Sequence, residues 1–111
     1  MLICETRESA LSRLGRALAD PTRCRILVAL LDGVVYPARL AGHLGLSRSN
    51  VSNHLACLRG CGLVVATYEG RQVRYALADP HLERALAELT RVVLAVAPTD
   101  ACAEEDRVVA R

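Results

Sequence analysis

The stretch Leu44-Gly-Leu-Ser-Arg-Ser-Asn-Val-Ser-Asn-His-Leu-Ala-Cys-Leu-Arg-Gly-Cys-Gly-Leu63 limits what this chain can fold into more than any other. It reads as one helix ending at Gly45, a tight turn, and a second helix opening at Ser47. Glycine ends helices because it enters the left-handed region without steric cost, and a serine hydroxyl accepts an unpaired amide at a helix start. In the second helix Val51, Leu55 and Leu58 fall within roughly 60° of one another at about 100° per residue, which makes a core stripe. Ser49, Ser52 and Asn53 point away from that stripe. Cys57 and Cys61 lie on a flank, one turn apart and outside the core seam.

The rest of the chain supplies elements to pack around this pair. Leu11, Leu14 and Leu18 predict a helix over residues 5–18. Asp20-Pro21 gives a cap followed by proline at the first helical position, and the helix runs through Ile26, Leu27, Leu30 and Leu31 to Gly33. Pro37 opens a third helix bearing Leu40, Ala41 and Leu44. Residues 63–68 and 72–77 alternate as two strands, with Glu69-Gly70-Arg71 as the hairpin between them. Asp79-Pro80 caps a last helix whose Leu82, Leu86, Leu89, Val93 and Val96 form a seam suited to another helix, and Pro98 ends it. The predicted fold is mainly α with a small β-hairpin, in the order α-α-α-α-β-β-α. Residues 1–97 form one domain and 98–111 a flexible polar tail.

At 111 residues the chain holds one core, and 52% hydrophobic content with only three aromatics makes that core aliphatic. Small helical domains of this kind leave apolar faces to share, so a homodimer is expected. No apolar run approaches the roughly 18 residues of a membrane span, and the N-terminus turns charged too early for a signal peptide. A cytoplasmic protein with no membrane partner is expected. Five cysteines (Cys4, Cys24, Cys57, Cys61 and Cys102) are an odd number, which speaks against a disulfide framework. Cys24 in its apolar helix is expected in the core.

Net charge is only +2, but its distribution is uneven. Between Tyr36 and Tyr75, Arg39, Arg48, Arg59, Arg71 and Arg74 face the single acid Glu69. A basic middle and an acidic tail suit a central module that touches nucleic acid. Two helices across a tight turn, the second starting in Ser and Asn, form a helix-turn-helix pattern whose polar residues reach base edges and phosphates. The hairpin after it makes a wing that carries Arg71 and Arg74 to the phosphate backbone. A purely solvated Ser/Asn face, or a winged helix used only for protein contacts, would instead show no salt-sensitive duplex binding.

Four segments in order resemble the ArsR/SmtB metal-sensing repressors: Asp20-Pro-Thr-Arg-Cys-Arg-Ile-Leu27, Leu46-Ser-Arg-Ser-Asn-Val-Ser-Asn-His-Leu55, Leu58-Arg-Gly-Cys-Gly-Leu-Val64 and Glu69-Gly-Arg-Gln-Val-Arg-Tyr75. The resemblance spans about residues 8–96. It implies a homodimeric winged helix-turn-helix repressor that holds operator DNA as the apo form and releases it when metal binds. It maps operator contacts onto Arg48, Ser49, Ser52 and Asn53, with Asn50 and His54 beside them, and dimer contacts onto the first and last helices.

The family uses several metal sites, and this chain departs from two. Tyr36-Pro37-Ala38 stands where the arsenic-type site has Cys-x-Cys. Asp79 and His81 match half of the zinc-type site, but Val92 and Ala95 occupy its other half, so His81 is expected to serve as a first-turn helix residue. Cys57 and Cys61 remain, two soft ligands projected from adjacent turns. Cys102 in the tail supplies a third thiolate. These three match the cadmium/lead-sensing members of the family, which implies Cd2+ or Pb2+ as inducer, with Zn2+ also compatible. In those members the third cysteine is thought to come from the other subunit. Cys4 is either a fourth sulfur or part of a frayed terminus.

Two other readings use the same residues. Cys57 and Cys61, or either with Cys102, would sense oxidants by forming a disulfide, aided by Arg59. A thiol enzyme would need a Cys-x-x-Cys, a Cys/His pair with an orienting carboxylate or a glycine-rich phosphate loop, and the chain has none. No enzyme activity and no small-molecule substrate are therefore expected.

Overall fold

A computed structural model describes residues 6–95, with side chains through residue 92. Five helices and a two-stranded antiparallel hairpin follow in the expected order: α1 (Arg7–Ala19), α2 (Pro21–Leu31), α3 (Pro37–Leu44), α4 (Arg48–Gly60), β1 (Val64–Glu69), β2 (Gln72–Leu77) and α5 (Pro80–Ala95). The seam residues Val93 and Val96, Pro98, and the cysteines Cys4 and Cys102 lie outside the described side chains.

The helix starts use short polar caps. Thr6 Oγ1 accepts from the Ser9 amide at 3.0 Å to open α1. Asp20 accepts from the Thr22 amide at 2.9 Å and from the Arg23 amide at 3.3 Å. These bonds favour the ionised form, so the Asp20 carboxyl is held below its ordinary value, with His54 and Arg23 adding positive field.

The core is aliphatic. Ile26, Leu27, Leu40, Val51, Leu55, Leu58 and Val64 are fully buried, joined by Ala17, Ala29, Leu30, Ala41, Leu63 and Leu86, and no polar residue is buried among the described residues. Helix α2 is the hub, touching α1, α3, α4, α5 and β2. Removing seven such large side chains from water, at about 1.5–3 kcal/mol each, is the main force holding α4 in place.

Two glycines bracket α4. Gly45, at φ 69°, ends α3 in the left-handed region, and the Leu46 amide reaches back to Ala41 O at 2.9 Å. That reversal lets α4 start three residues later. At the other end Gly62, at φ 81°, lets the Leu63 amide bond to Leu58 O at 3.0 Å. Any side chain at either position would be strained in this conformation.

Some expectations change. Leu63 closes α4 and is buried there, so β1 begins one residue later than its apolar run suggests. Glu69 pairs with Gln72, which leaves a two-residue turn, Gly70-Arg71. Cys24 is half-buried and lines a groove with Leu18, Leu27, Val28, Leu86 and Leu89 instead of joining the core. The reason is helical phase. Cys24 shares a side with Val28, itself 38% exposed, while Ile26, Leu27 and Leu30 take the inward positions.

The dimer-seam residues have an uneven fate. On α5 Leu86 is buried, Leu82 half-buried and Leu89 45% exposed; on α1 Leu11 is 67% exposed. Apolar surface therefore remains on the two helices expected to meet a second copy.

Candidate functional site

Helix α4 presents three stripes. Val51, Leu55 and Leu58 are 0% exposed and form the inward one. Arg48, Ser49, Ser52 and Asn53 are exposed, as the sequence predicts. The third stripe carries Asn50, His54, Cys57 and Cys61, which fall within roughly 60° of one another at 100° per residue.

The start of α4 is built for anions. Ser47 Oγ accepts from the Asn50 amide at 3.0 Å and lies 3.4 Å from Ser49 Oγ. The other first-turn amides point out of the helix end, where the dipole is positive and Arg48 adds a guanidinium. This is a physical basis for phosphate contact that residue composition alone would not reveal.

The wing is brought to the same place. Its sheet has an inner face of Val64, Ala66, Val73, Tyr75 and Leu77, and an outer face of Thr67, Glu69, Gln72 and Arg74. Tyr75 donates its amide to Val35 O at 2.9 Å, so the outer edge of β2 is tied to the segment before α3. Arg48 and Ser52 of α4 then line one groove of about 370 Å³ with Arg71, Gln72 and Tyr36. Arg71 and Arg48 thus share one cleft of mixed polar and apolar lining, and Arg74 is exposed on the outer face. Among the described residues Arg48, Arg71 and Arg74 form no ion pair. The wing tip also carries Tyr68, 71% exposed, which sequence reasoning passed over.

His54 departs from a simple outward position: it is half-buried, and its field contributes to holding the Asp20 carboxyl down.

The two sulfurs are on the opposite side from the groove. Cys57 and Cys61 lie roughly 180° around α4 from Arg48 and Ser52. Both are free and half-buried. The Cys61 amide donates to Cys57 O at 3.0 Å, which fixes one turn between them, and Cys61 ends the helix in αR conformation. Cys61 also packs against the core, so this thiol is less of a free flank than its phase suggests. A pair of soft donors on one turn suits a soft cation. No cluster of three or more His, Cys, Asp or Glu side chains exists among the described residues, so the pair is an incomplete shell by itself.

The remaining metal-type residues have other uses. Asp79 accepts from the His81 amide as the cap of α5, and His81 Nδ1 lies 2.7 Å from an Arg84 guanidinium nitrogen. His81 is a first-turn residue, as expected. No described helix is long and apolar enough to cross a membrane.

Known proteins share this fold. Residues 20–65 match the family described as bacterial regulatory protein, arsR family. The chain is 80% identical over 105 residues, covering 95% of it and 89% of the relative, to the HTH-type transcriptional regulator CmtR of Mycobacterium bovis. The NMR structure of the cadmium metal-sensor CMTR from Mycobacterium tuberculosis superposes with a TM-score of 0.65 at 83% identity, covering 80% of this chain and 92% of that one. The homodimeric winged helix-turn-helix domain of Mb0332 from Mycobacterium bovis superposes with a TM-score of 0.71 at 29% identity, covering 84% and 90%.

Proposed function

The chain belongs to the ArsR family of bacterial regulatory proteins, and from that premise we propose that it is a cadmium-responsive repressor whose inducer binds Cys57 and Cys61. One observation carries the reading: two free, half-buried thiols, one turn apart, at the end of the same helix whose start forms the DNA-facing surface. Cys102 is the third thiolate of the proposal, with Cys4 as an optional fourth; Pb2+ and Zn2+ are the other soft cations to be tested against Cd2+. The working form is a homodimer in the cytoplasm. Its two α4 helices enter successive major grooves, with Arg48, Ser49, Ser52 and Asn53 near bases, Asn50 and His54 beside them, and Arg71 and Arg74 on phosphates.

Each part of the chain has a defined task. Cys57 and Cys61 donate sulfur electron pairs to the ion. Cys61 caps α4 and packs against the core, so a ligand that pulls on it also pulls on the end of the recognition helix. A small rotation of that helix moves the groove of Arg48 and Arg71 off its phosphates. Metal and DNA then oppose one another, and by linkage each lowers the affinity of the other by the same factor.

A disulfide switch between Cys57 and Cys61 is the second reading. Helical i, i+4 side chains stand with Cβ atoms about 5–6 Å apart, and a disulfide needs about 3.8 Å. Closing it would unwind the end of α4, which favours metal capture. The test is a Cd(II) titration, under reducing conditions, of protein bound to a duplex selected from a random-sequence pool. Release at stoichiometric metal, lost in Cys57→Ser, Cys61→Ser and Cys102→Ser, is expected. Normal release by all three variants would sink the proposal.

A further inference from the structure

Glu69 is the single acid between Tyr36 and Tyr75, and it stands on the wing among the arginines meant for phosphate. The strand register sets it on the outer face with Gln72 opposite and Arg74 on the diagonal. Diagonal neighbours lie about 7–8 Å apart at Cα, within reach of a long guanidinium. A carboxylate left to itself here would draw Arg71 or Arg74 into an ion pair and would repel DNA.

It does neither. Tyr36, from the segment before α3, donates its hydroxyl to Glu69 Oε1 at 2.8 Å. Among the described residues Glu69 forms no ion pair, and Arg71 and Arg74 keep their charges exposed. Tyr36 reaches Glu69 from an anchored backbone, because its neighbour Val35 accepts the Tyr75 amide. The Glu69 bond and charge raise the Tyr36 phenol above its ordinary value, against a smaller opposing field from Arg74, so the hydroxyl stays a donor at neutral pH. Tyr36 also lines the groove shared by Arg48, Ser52 and Arg71.

We propose that Tyr36 is a positioning residue for DNA binding: its hydroxyl holds the Glu69 carboxylate on the α3 side of the wing and so keeps Arg71 and Arg74 available to phosphate. The inference rests on the DNA-binding reading above, and it concerns a residue outside both the recognition helix and the hairpin. Phosphate contact is sequence-independent, so a duplex of scrambled sequence reports it directly.

The experiment measures anisotropy of a labelled scrambled duplex of about 30 base pairs between about 50 and 200 mM salt. Tyr36→Phe keeps the ring and removes only the hydroxyl. It is expected to weaken binding roughly three- to ten-fold and to lower the salt slope by about one for each wing engaged. Glu69→Gln removes the competing charge and is expected to bind at least as tightly as wild type. The double variant Y36F/E69Q is then expected to recover both affinity and slope. A merely structural role for Tyr36 would leave the double variant as weak as Y36F. That result, or a Y36F protein indistinguishable from wild type, overturns the inference while leaving DNA binding intact. Absence of salt-sensitive binding by the wild type would overturn the DNA reading and this one with it.

Discussion

The two flanks of α4, proposed as reader and sensor, differ in exposure and in chemistry. On the wing side Arg48 and Ser52 line the groove with Arg71, exposed and without ion pairs among the described residues. On the other side Cys57 and Cys61 are half-buried, and Cys61 touches the core. An exposed charge interacts through water and weakens with salt. A half-buried thiol at a helix end interacts through bonds and packing. Because both flanks belong to one rigid helix fixed by Val51, Leu55 and Leu58, neither can move without the other. Coupling therefore needs no long pathway. It needs only a helix that shifts as a body.

The largest expected effect attacks that shared body. Leu58→Ala opens a cavity beneath both flanks and should cost about 2–5 kcal/mol of stability in urea unfolding. If it lowered DNA and metal affinity independently of stability, the rigid-body view would be wrong. Next, Cys57→Ser should reduce Cd(II) affinity by more than the roughly 10- to 100-fold that losing a supporting group costs. Duplex affinity without metal should stay within about two-fold, since the flank lies away from the groove. Loss of both would erase the distinction between flanks.

The reverse variant, Arg48→Ala, should lower the salt slope by about one per engaged helix and leave Cd(II) affinity in the free protein unchanged. Smaller still, Ser47→Ala removes the cap of α4 and should cost about 1 kcal/mol, read by thermal unfolding. The smallest effect is a pH effect at Asp20. Its folded carboxyl is depressed, so its contribution is present above the ordinary value of 3.8 and fades as pH falls through that value toward the folded one. Asp20→Asn keeps a capping side chain but removes the charge. It should flatten this acid limb, and an unchanged limb would show that the cap bonds are not charge-assisted.

Much of this was legible without coordinates. Caps and breakers are local chemistry: Asp20-Pro21, Pro37, Gly45 and Ser47 bound their helices because each meets a backbone requirement within a few residues. The phase of Val51, Leu55 and Leu58 follows from 3.6 residues per turn, and all three are 0% exposed. Local rules also misled by small amounts. Leu63 looks like a strand residue by composition, yet it serves the end of α4 through its bond to Leu58. Cys24 looks like core, yet its phase puts it on a groove wall beside Val28.

By itself, then, the order of residues determined the elements, the inward stripe of α4 and the one-turn spacing of Cys57 and Cys61, since all of these depend on backbone geometry over a few residues. Only the tertiary structure decided which elements meet. It set Arg71 beside Arg48 across one groove, half-buried His54, pressed Cys61 against the core, and joined Tyr36 to Glu69 across 33 positions of chain. No local pattern encodes such meetings. They follow from how α2, α4 and the wing bury their shared apolar faces, and burial is a property of the whole chain.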